Sequence, residues 1–271
     1  GFEIMDRFET VFERCRRENR KALVVYMTVG LPDAEHAEEL LCGLIESGAD
    51  IIELGVPFSD PTADGAAIQA AGQLALAQGI NLEKIFAIAG RVRARYPETP
   101  LILFSYYNVI FHYGLDAAAA AMKSCGIDGV LTVDLPLEER DEFLPVCEKY
   151  GIAFIPLLSP ATGDERAEAI LRGMRGFAYC ITLRGVTGAR ESLPAELGDE
   201  LRRFKRLAGD LPVAAGFGIS SGKMAKDAAC YADAVVVGSA AVKLVTGAVD
   251  GASGISAACK FVKELAQALR G

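Results

Sequence analysis

The sequence predicts a (β/α)8 barrel with an extra N-terminal helix. Three observations carry that expectation. Eight β-rich runs alternate with helical stretches, beginning near residue 22. The 271 residues match the usual length of such a barrel. Three turns, Gly48-Ala49-Asp50, Gly126-Ile127-Asp128 and Tyr231-Ala232-Asp233, each close a helix and open a strand. Glycine at a helix end suits a left-handed cap, and such turns belong at the bottom of a barrel, where they serve stability. A doubly wound open sheet is the alternative, but no Gly-rich fingerprint follows the first strand. Residues 1–271 read as one barrel domain, with residues 1–4 a tag remnant or extension ahead of Met5.

The elements follow in order. Residues 6–19 form a helix with Phe8, Val11, Phe12 and Cys15 at helical spacing, placed to plug one end of the barrel. The first strand, 22–29, ends at Gly30 and is followed by a helix over 33–46. The second strand, 50–54, precedes two helices, 66–78 and 82–96. The third, 101–106, precedes a helix near 116–124, and the fourth, 129–133, one near 137–149. The fifth, 152–157, leads to a helix near 164–171, and the sixth, 177–182, to one near 195–207. The seventh, 213–215, leads to 221–230. The eighth, 234–237, opens a helical tail ending near residue 269.

Composition excludes several classes. Hydrophobic residues make up 51% and charged residues 24%, a soluble globular balance. The net charge of −8 is spread without a basic stripe, which argues against nucleic acid. The cluster Arg14, Arg16, Arg17, Arg20 and Lys21 is interleaved with Glu13 and Glu18 and reads as a solvated helix face. No run reaches the ~18 apolar residues of a membrane span, and the N-terminus lacks the order of a signal peptide. Seven cysteines, an odd number without C-x-x-C spacing, read as reduced thiols of a cytoplasmic protein. His36 and His112 lie far apart, so no metal site is expected. No serine elbow or Walker loop is present.

One stretch stands out. Asp50 to Gly65 begins as an apolar strand, holds Glu53 within it, and breaks into a long Pro-rich loop ending at Asp64. Glu53 shares a strand face with Ile51 and points into a core or a cavity. An unpaired buried charge is costly, so Glu53 is either a structural carboxylate held by backbone donors or a functional group. Loops after strands usually run about 2–6 residues, and this longer one favours function.

In a barrel, chemistry sits at the C-terminal strand ends. Those ends hold Gly30, Glu53, Tyr106 with Asn108, Asp134 with Pro136, Ser159, and three Gly-rich loops. The loops are Gly185-Val186-Thr187-Gly188, Gly216-Phe217-Gly218-Ile219-Ser220 and Gly238-Ser239-Ala240. Glycines let backbone N–H groups approach an anion, and the loops after strands seven and eight are the usual phosphate site. Ordinary tight turns are the alternative. No lysine falls at a strand end; Lys243 lies within the helix after Gly238. A Schiff-base lysine is therefore not expected, and acid–base catalysis by Glu53 and Asp64 remains.

These motifs resemble one family. Glu53-Leu54-Gly55-Val56-Pro57-Phe58-Ser59-Asp60-Pro61, then Ala63-Asp64-Gly65, is similar to the signature of the tryptophan synthase alpha subunit. Tyr106 and Asn108, Asp134-Leu135-Pro136 and the three Gly-rich loops resemble that family's motifs at matching strand ends. The family cleaves indole-3-glycerol phosphate to indole and glyceraldehyde 3-phosphate, a retro-aldol lyase reaction of tryptophan biosynthesis that uses no cofactor. The resemblance implies Glu53 as general acid–base and Asp64 as acceptor for the indole N–H. It implies Tyr179, Phe217, Leu131, Phe104 and Tyr26 as the indole pocket. Thr187 would reach Asp64 and close a lid, and Gly188, Gly218, Gly238 and Ser239 would bind phosphate. The implied partner is a pyridoxal-phosphate beta subunit in an alpha-beta-beta-alpha heterotetramer, met by Pro57, Asp60, Pro61, Asn108, Asp134 and Pro136. For the prolines, loop stiffening is the alternative.

The chain departs from the family pattern at Leu31, where Asp is usual, and at Ala66, where Pro is usual. It also has Leu74 in place of Arg, Thr182 in place of Ser, and Thr62 in place of Leu. Two other readings stand beside the lyase. One is a regulatory subunit that binds a phosphate ligand and activates a partner. The other is a different phosphate-binding barrel enzyme.

Overall fold

The computed structural model describes residues 6–61, 64–181 and 193–271. Its first helix, α1 (Arg7–Arg17), starts at Asp6, whose carboxylate accepts from the Glu9 backbone N–H at 2.8 Å. The buried stripe of α1 is Phe8, Val11, Phe12 and Cys15, the apolar set that the helical spacing predicts. Phe8 and Phe12 each meet the Phe177 ring edge-on with centroids 6.1 Å apart. The same cluster contains Val24, Ile51, Ile102 and Leu131 from the inner face of the sheet. The helix is the expected plug.

The strands are β1 (Ala22–Thr28), β2 (Ile51–Gly55), β3 (Leu101–Ser105), β4 (Gly129–Thr132), β5 (Ala153–Phe154), β6 (Leu157–Leu158), β7 (Ala178–Ile181), β8 (Val213–Gly216) and β9 (Ala234–Val237). They pair in the order β5-β4-β3-β2-β1-β9-β8-β7-β6, and every pair is parallel. The two edge pieces, β5 and β6, are consecutive in the chain. They are the expected fifth strand, split at Pro156, which has no N–H for a ladder. Hydrogen bonding still runs across the split. The Ile155 N–H donates to the Val130 carbonyl at 2.9 Å, and the Pro156 carbonyl accepts from the Tyr179 N–H at 2.8 Å. The sheet therefore closes into a barrel.

Helices surround it: α2 (Ala37–Glu46), α3 (Ala66–Ala77), α4 (Leu82–Arg95), α5 (Tyr107–Tyr113), α6 (Leu115–Cys125), α7 (Leu144–Lys149), α8 (Asp164–Leu171), α9 (Ala195–Ala208), α10 (Gly222–Ala229), α11 (Ser239–Thr246) and α12 (Gly251–Arg270). Three differ from the sequence reading. Helix α5 was not expected; it is short and ends at Gly114, whose φ of +106° breaks it from α6. The stretch over 137–149 is a 3-10 turn, Leu137–Glu142, and then α7, which restarts just before Pro145. The C-terminal tail divides because Asp250 caps α12, accepting from the Ser253 N–H at 2.7 Å. No helix among the described residues is long and apolar enough to cross a membrane.

The three turns noted in the sequence share one device at the barrel bottom. Asp50, Asp128 and Asp233 each give a backbone N–H to the carbonyl of Leu23, Leu101 and Val213, at 2.8 Å in all three cases. Each aspartate side chain then accepts the N–H of that same residue, at 2.8, 2.9 and 2.8 Å. The aspartate thus grips the start of a neighbouring strand with backbone and side chain together. Cations complete each grip: Arg20 and Arg14 on Asp50, Arg7 and Arg93 on Asp128, Lys205 on Asp233.

The Arg20–Asp50 pair is nearly closed to solvent, with the side chains 7% and 5% exposed. Replacing Asp50 by Ala leaves the buried guanidinium with only the partly exposed Glu18 as an ion-pair partner and removes the acceptor of the Leu23 N–H, a loss of the kind that typically costs about 3–5 kcal/mol. Urea denaturation of D50A is expected to show a destabilisation of that order. A loss below about 1 kcal/mol would place the pair with ordinary surface ion pairs.

Candidate active site

Glu53 lies on the inner face of β2, level with Tyr26 of β1 and Ile102 of β3. It is 0% exposed, and neither carboxyl oxygen has a hydrogen-bond partner among the described residues. The other buried side-chain atom without a partner there is the Thr132 hydroxyl. A structural carboxylate needs donors, and Glu53 has none. Burial alone pushes its pKa up to about 8, so the group is a neutral acid at pH 7.

Glu53 faces a cavity of about 840 Å³ at the C-terminal strand ends, the functional face of such barrels. Tyr26, Phe104 and Tyr179 form its aromatic walls. Tyr26 meets Phe104 edge-on at 5.0 Å, and its hydroxyl shares a hydrogen bond with Thr28 Oγ1 at 3.2 Å. Two inward glycines make room for the tyrosines. A Cβ on Gly216 would lie 2.6 Å from the Tyr179 hydroxyl, and one on Gly55 would strike the Tyr26 ring and hydroxyl.

Asp64 enters the cavity from the loop after β2, half-buried. Burial pushes its pKa up to about 6, while a hydrogen bond from Tyr106 pulls it down. Tyr106 anchors the loop at a second point, with the Phe58 ring 4.8 Å from its own. The Gln69 side chain holds the loop from α3, donating to the Asp64 carbonyl at 2.7 Å and the Pro61 carbonyl at 3.3 Å. Between pH of about 6 and 8, the cavity therefore holds one carboxylic acid and one carboxylate, the split that acid–base work requires.

Helix starts also line the cavity. Gly238 and Ser239 open α11, while Gly65 and Ala66 open α3. Gly218 lines it with φ of +71°, a conformation that favours glycine. Unpaired N–H groups at such ends suit an anion.

Of the residues singled out in the sequence, Glu53, Asp64, Tyr26, Phe104, Tyr179, Gly218, Gly238 and Ser239 come together on this cavity. Phe217 and Leu131 do not line it. Phe217 is 1% exposed in the main core, because the chain alternates outward after the inward Gly216, and Leu131 packs inside the barrel with Ile102 and Ile155. Thr187 and Gly188 lie outside the described residues, as do Thr62 and Thr182. Asp60, Asn108, Asp134 and Pro136 are exposed and Pro61 is half-buried, while Pro57 is buried, its ring approaching Gly72 of α3. Asp134 also accepts the Tyr107 N–H at 2.7 Å, tying the loop after β4 to the start of α5. Leu31 is buried, Leu74 is half exposed, and Ala66 lines the cavity.

Sequence reasoning missed a site role for Tyr106, Ser220 and Lys243. Tyr106 was visible as a strand end and, with Asn108, as part of a family-like motif, but not as a partner of Asp64. Ser220 closes the Gly218 loop and lines the cavity. Lys243 lines it too, because it stands four residues, one helical turn, beyond Ser239.

A closed parallel (β/α)8 barrel with ionisable groups gathered at its C-terminal strand ends is the architecture of barrel enzymes. Residues 12–270 match the family model described as tryptophan synthase alpha chain. A tryptophan synthase alpha chain of Caldanaerobacter subterraneus subsp. tengcongensis is 41% identical over 265 residues, covering 98% of this chain and 100% of that one. One from Zymomonas mobilis subsp. mobilis is 44% identical over 266 residues, covering 98% and 97%. The crystal structure of a tryptophan synthase alpha chain from Legionella pneumophila superposes with a TM-score of 0.90 at 33% identity, covering 98% of each chain. The chain belongs to the tryptophan synthase alpha chain family.

Glu53 makes a stability prediction with a definite sign. Its folded pKa lies above the unfolded value, so its burial is least costly below about pH 4 and becomes more so as pH rises through about 8. The E53Q variant is expected to melt at the same temperature as the wild type near pH 4. By pH 8 it should melt several degrees higher. A difference independent of pH would show that Glu53 finds donors in solution.

Proposed function

We propose that this chain is a carbon–carbon lyase that cleaves indole-3-glycerol phosphate to indole and glyceraldehyde 3-phosphate, as the alpha chain of a tryptophan synthase. The observation that carries the reading is Glu53, a buried carboxyl without a hydrogen-bond partner among the described residues, facing a cavity that also holds the lower-pKa Asp64. Family membership supports the same conclusion.

The chemistry follows from the two groups. Neutral Glu53 protonates the indole ring at C3, and Asp64 accepts the ring N–H and stabilises the positive charge that develops. Glu53, now a carboxylate, takes the proton of the glycerol hydroxyl as the carbon–carbon bond breaks, which returns the acid and releases indole and an aldehyde. Tyr26, Phe104 and Tyr179 hold the apolar ring, and the N–H groups at Gly218, Gly238 and Ser239 take the phosphate. No cofactor enters these steps. Thr187 and Gly188 are assigned, respectively, to closing the lid over Asp64 and to binding phosphate, on the family resemblance.

The partner is a beta chain carrying pyridoxal phosphate, in an alpha-beta-beta-alpha assembly. Asp60, Pro61, Asn108, Asp134 and Pro136, exposed or half-buried on the loops that follow β2, β3 and β4, form its docking rim, with Pro57 supporting the loop from beneath. Seven free cysteines suit a cytoplasmic setting.

The test is indole release from indole-3-glycerol phosphate by the purified chain, alone and with a beta chain. Release is expected to be slow alone and to rise strongly with the partner, and D64N is expected to lose at least about a hundredfold in kcat/KM. The kcat/KM profile should be a bell with limbs near pH 6 and pH 8, set by Asp64 ionising and Glu53 losing its proton. Unchanged indole release by D64N would sink the reading.

A further inference from the structure

Lys243 stands one turn along α11 from Ser239, on the same helix face. Its side chain is exposed and lines the cavity beside Gly218, Ser220, Gly238 and Ser239. It is the one cation among the described lining residues. The other ionisable groups there are two carboxyl groups, Glu53 and Asp64, and two phenols, Tyr26 and Tyr179. The Lys243 ammonium makes no ion pair or hydrogen bond among the described residues. Its position is not explained by packing or by a structural salt bridge.

A charge argument gives it a task. The chain carries a formal net charge of −8, and its cavity holds two acids. A phosphate dianion approaching that cavity meets repulsion that neutral N–H and hydroxyl donors only partly offset. A lysine on the rim is a mobile point charge on a flexible stem, suited to meet a phosphate from its solvent side.

We propose that Lys243 is a phosphate-binding residue that completes the site formed by Gly218, Gly238 and Ser239 and selects phosphorylated substrates over uncharged ones. The proposal rests on the phosphate-site reading above and adds the residue that supplies its positive charge.

The test is steady-state indole release from indole-3-glycerol phosphate by the full chain with its beta partner. K243M is expected to raise KM about tenfold, the scale of one charge-assisted hydrogen bond at an accessible site. Its kcat should stay within about twofold of wild type, the mark of lost uniform binding. The rise of KM with salt seen in wild type should flatten in K243M, and K243R should recover most of the affinity. K226M, on α10 and away from the cavity, controls for net charge and should leave KM unchanged. A K243M value of KM within about twofold of wild type overturns the proposal, as does an equal rise in K226M. If the wild-type chain releases no indole, the lyase reading fails, and titration with inorganic phosphate decides the role of Lys243. Weaker phosphate binding by K243M then supports the role, and equal binding overturns it.

Discussion

A carboxyl group without a donor survives in a protein interior only as the neutral acid. That constraint on Glu53 organises much of the molecule. Water must be kept from below, and α1 does so by setting Phe8 and Phe12 against Phe177. Bulky walls must approach without supplying a donor, and Tyr26 and Tyr179 manage this by leaning over Gly55 and Gly216. The Tyr26 hydroxyl is shared with Thr28, and Glu53 is left without it. Asp64, on a loop and half-buried, has the milder environment and a hydrogen bond from Tyr106, which separates the two carboxyl groups by pKa.

The two ends of the barrel treat charge in opposite ways. At the bottom, Asp50, Asp128 and Asp233 are each bound to a strand N–H and to at least one cation. At the top, neither Glu53 nor Lys243 has a partner among the described residues. The satisfied end fixes strand register, which determines which side chains point inward. The unsatisfied end leaves groups whose hydrogen bonds and charge are open to a ligand. This division between stability and chemistry is general to such barrels.

Much of this was legible in the sequence. Periodicity marked α1 with its buried face, and the recurrent Asp turns marked the barrel bottom. Glu53 and Asp64 stood out because a charge within an apolar strand and a long Pro-rich loop both need a reason. What escaped was set by three-dimensional packing. Phe217 sits among cavity-lining neighbours in sequence, yet strand alternation turns it into the core. Pro57 looks like an exposed loop residue, but the loop folds back onto Gly72 of α3. The split at Pro156 hides because β5 and β6 bond to different neighbours, so that no continuous ladder is needed. Lys243 escaped because it lies within a helix and not at a strand end, and one turn of α11 brings it to the same wall as Ser239.

The plug at the barrel floor has a bearing on how the chain is made. Phe8 and Phe12 leave the ribosome well before Phe177, against which both rest. Helix α1 therefore waits with its apolar stripe uncovered, and the floor of the barrel is closed only after β7 has been added. Such exposed apolar surface is a hazard in nascent chains. In this molecule α1 is seated only once β7 exists, and the dry setting of Glu53 is completed with it.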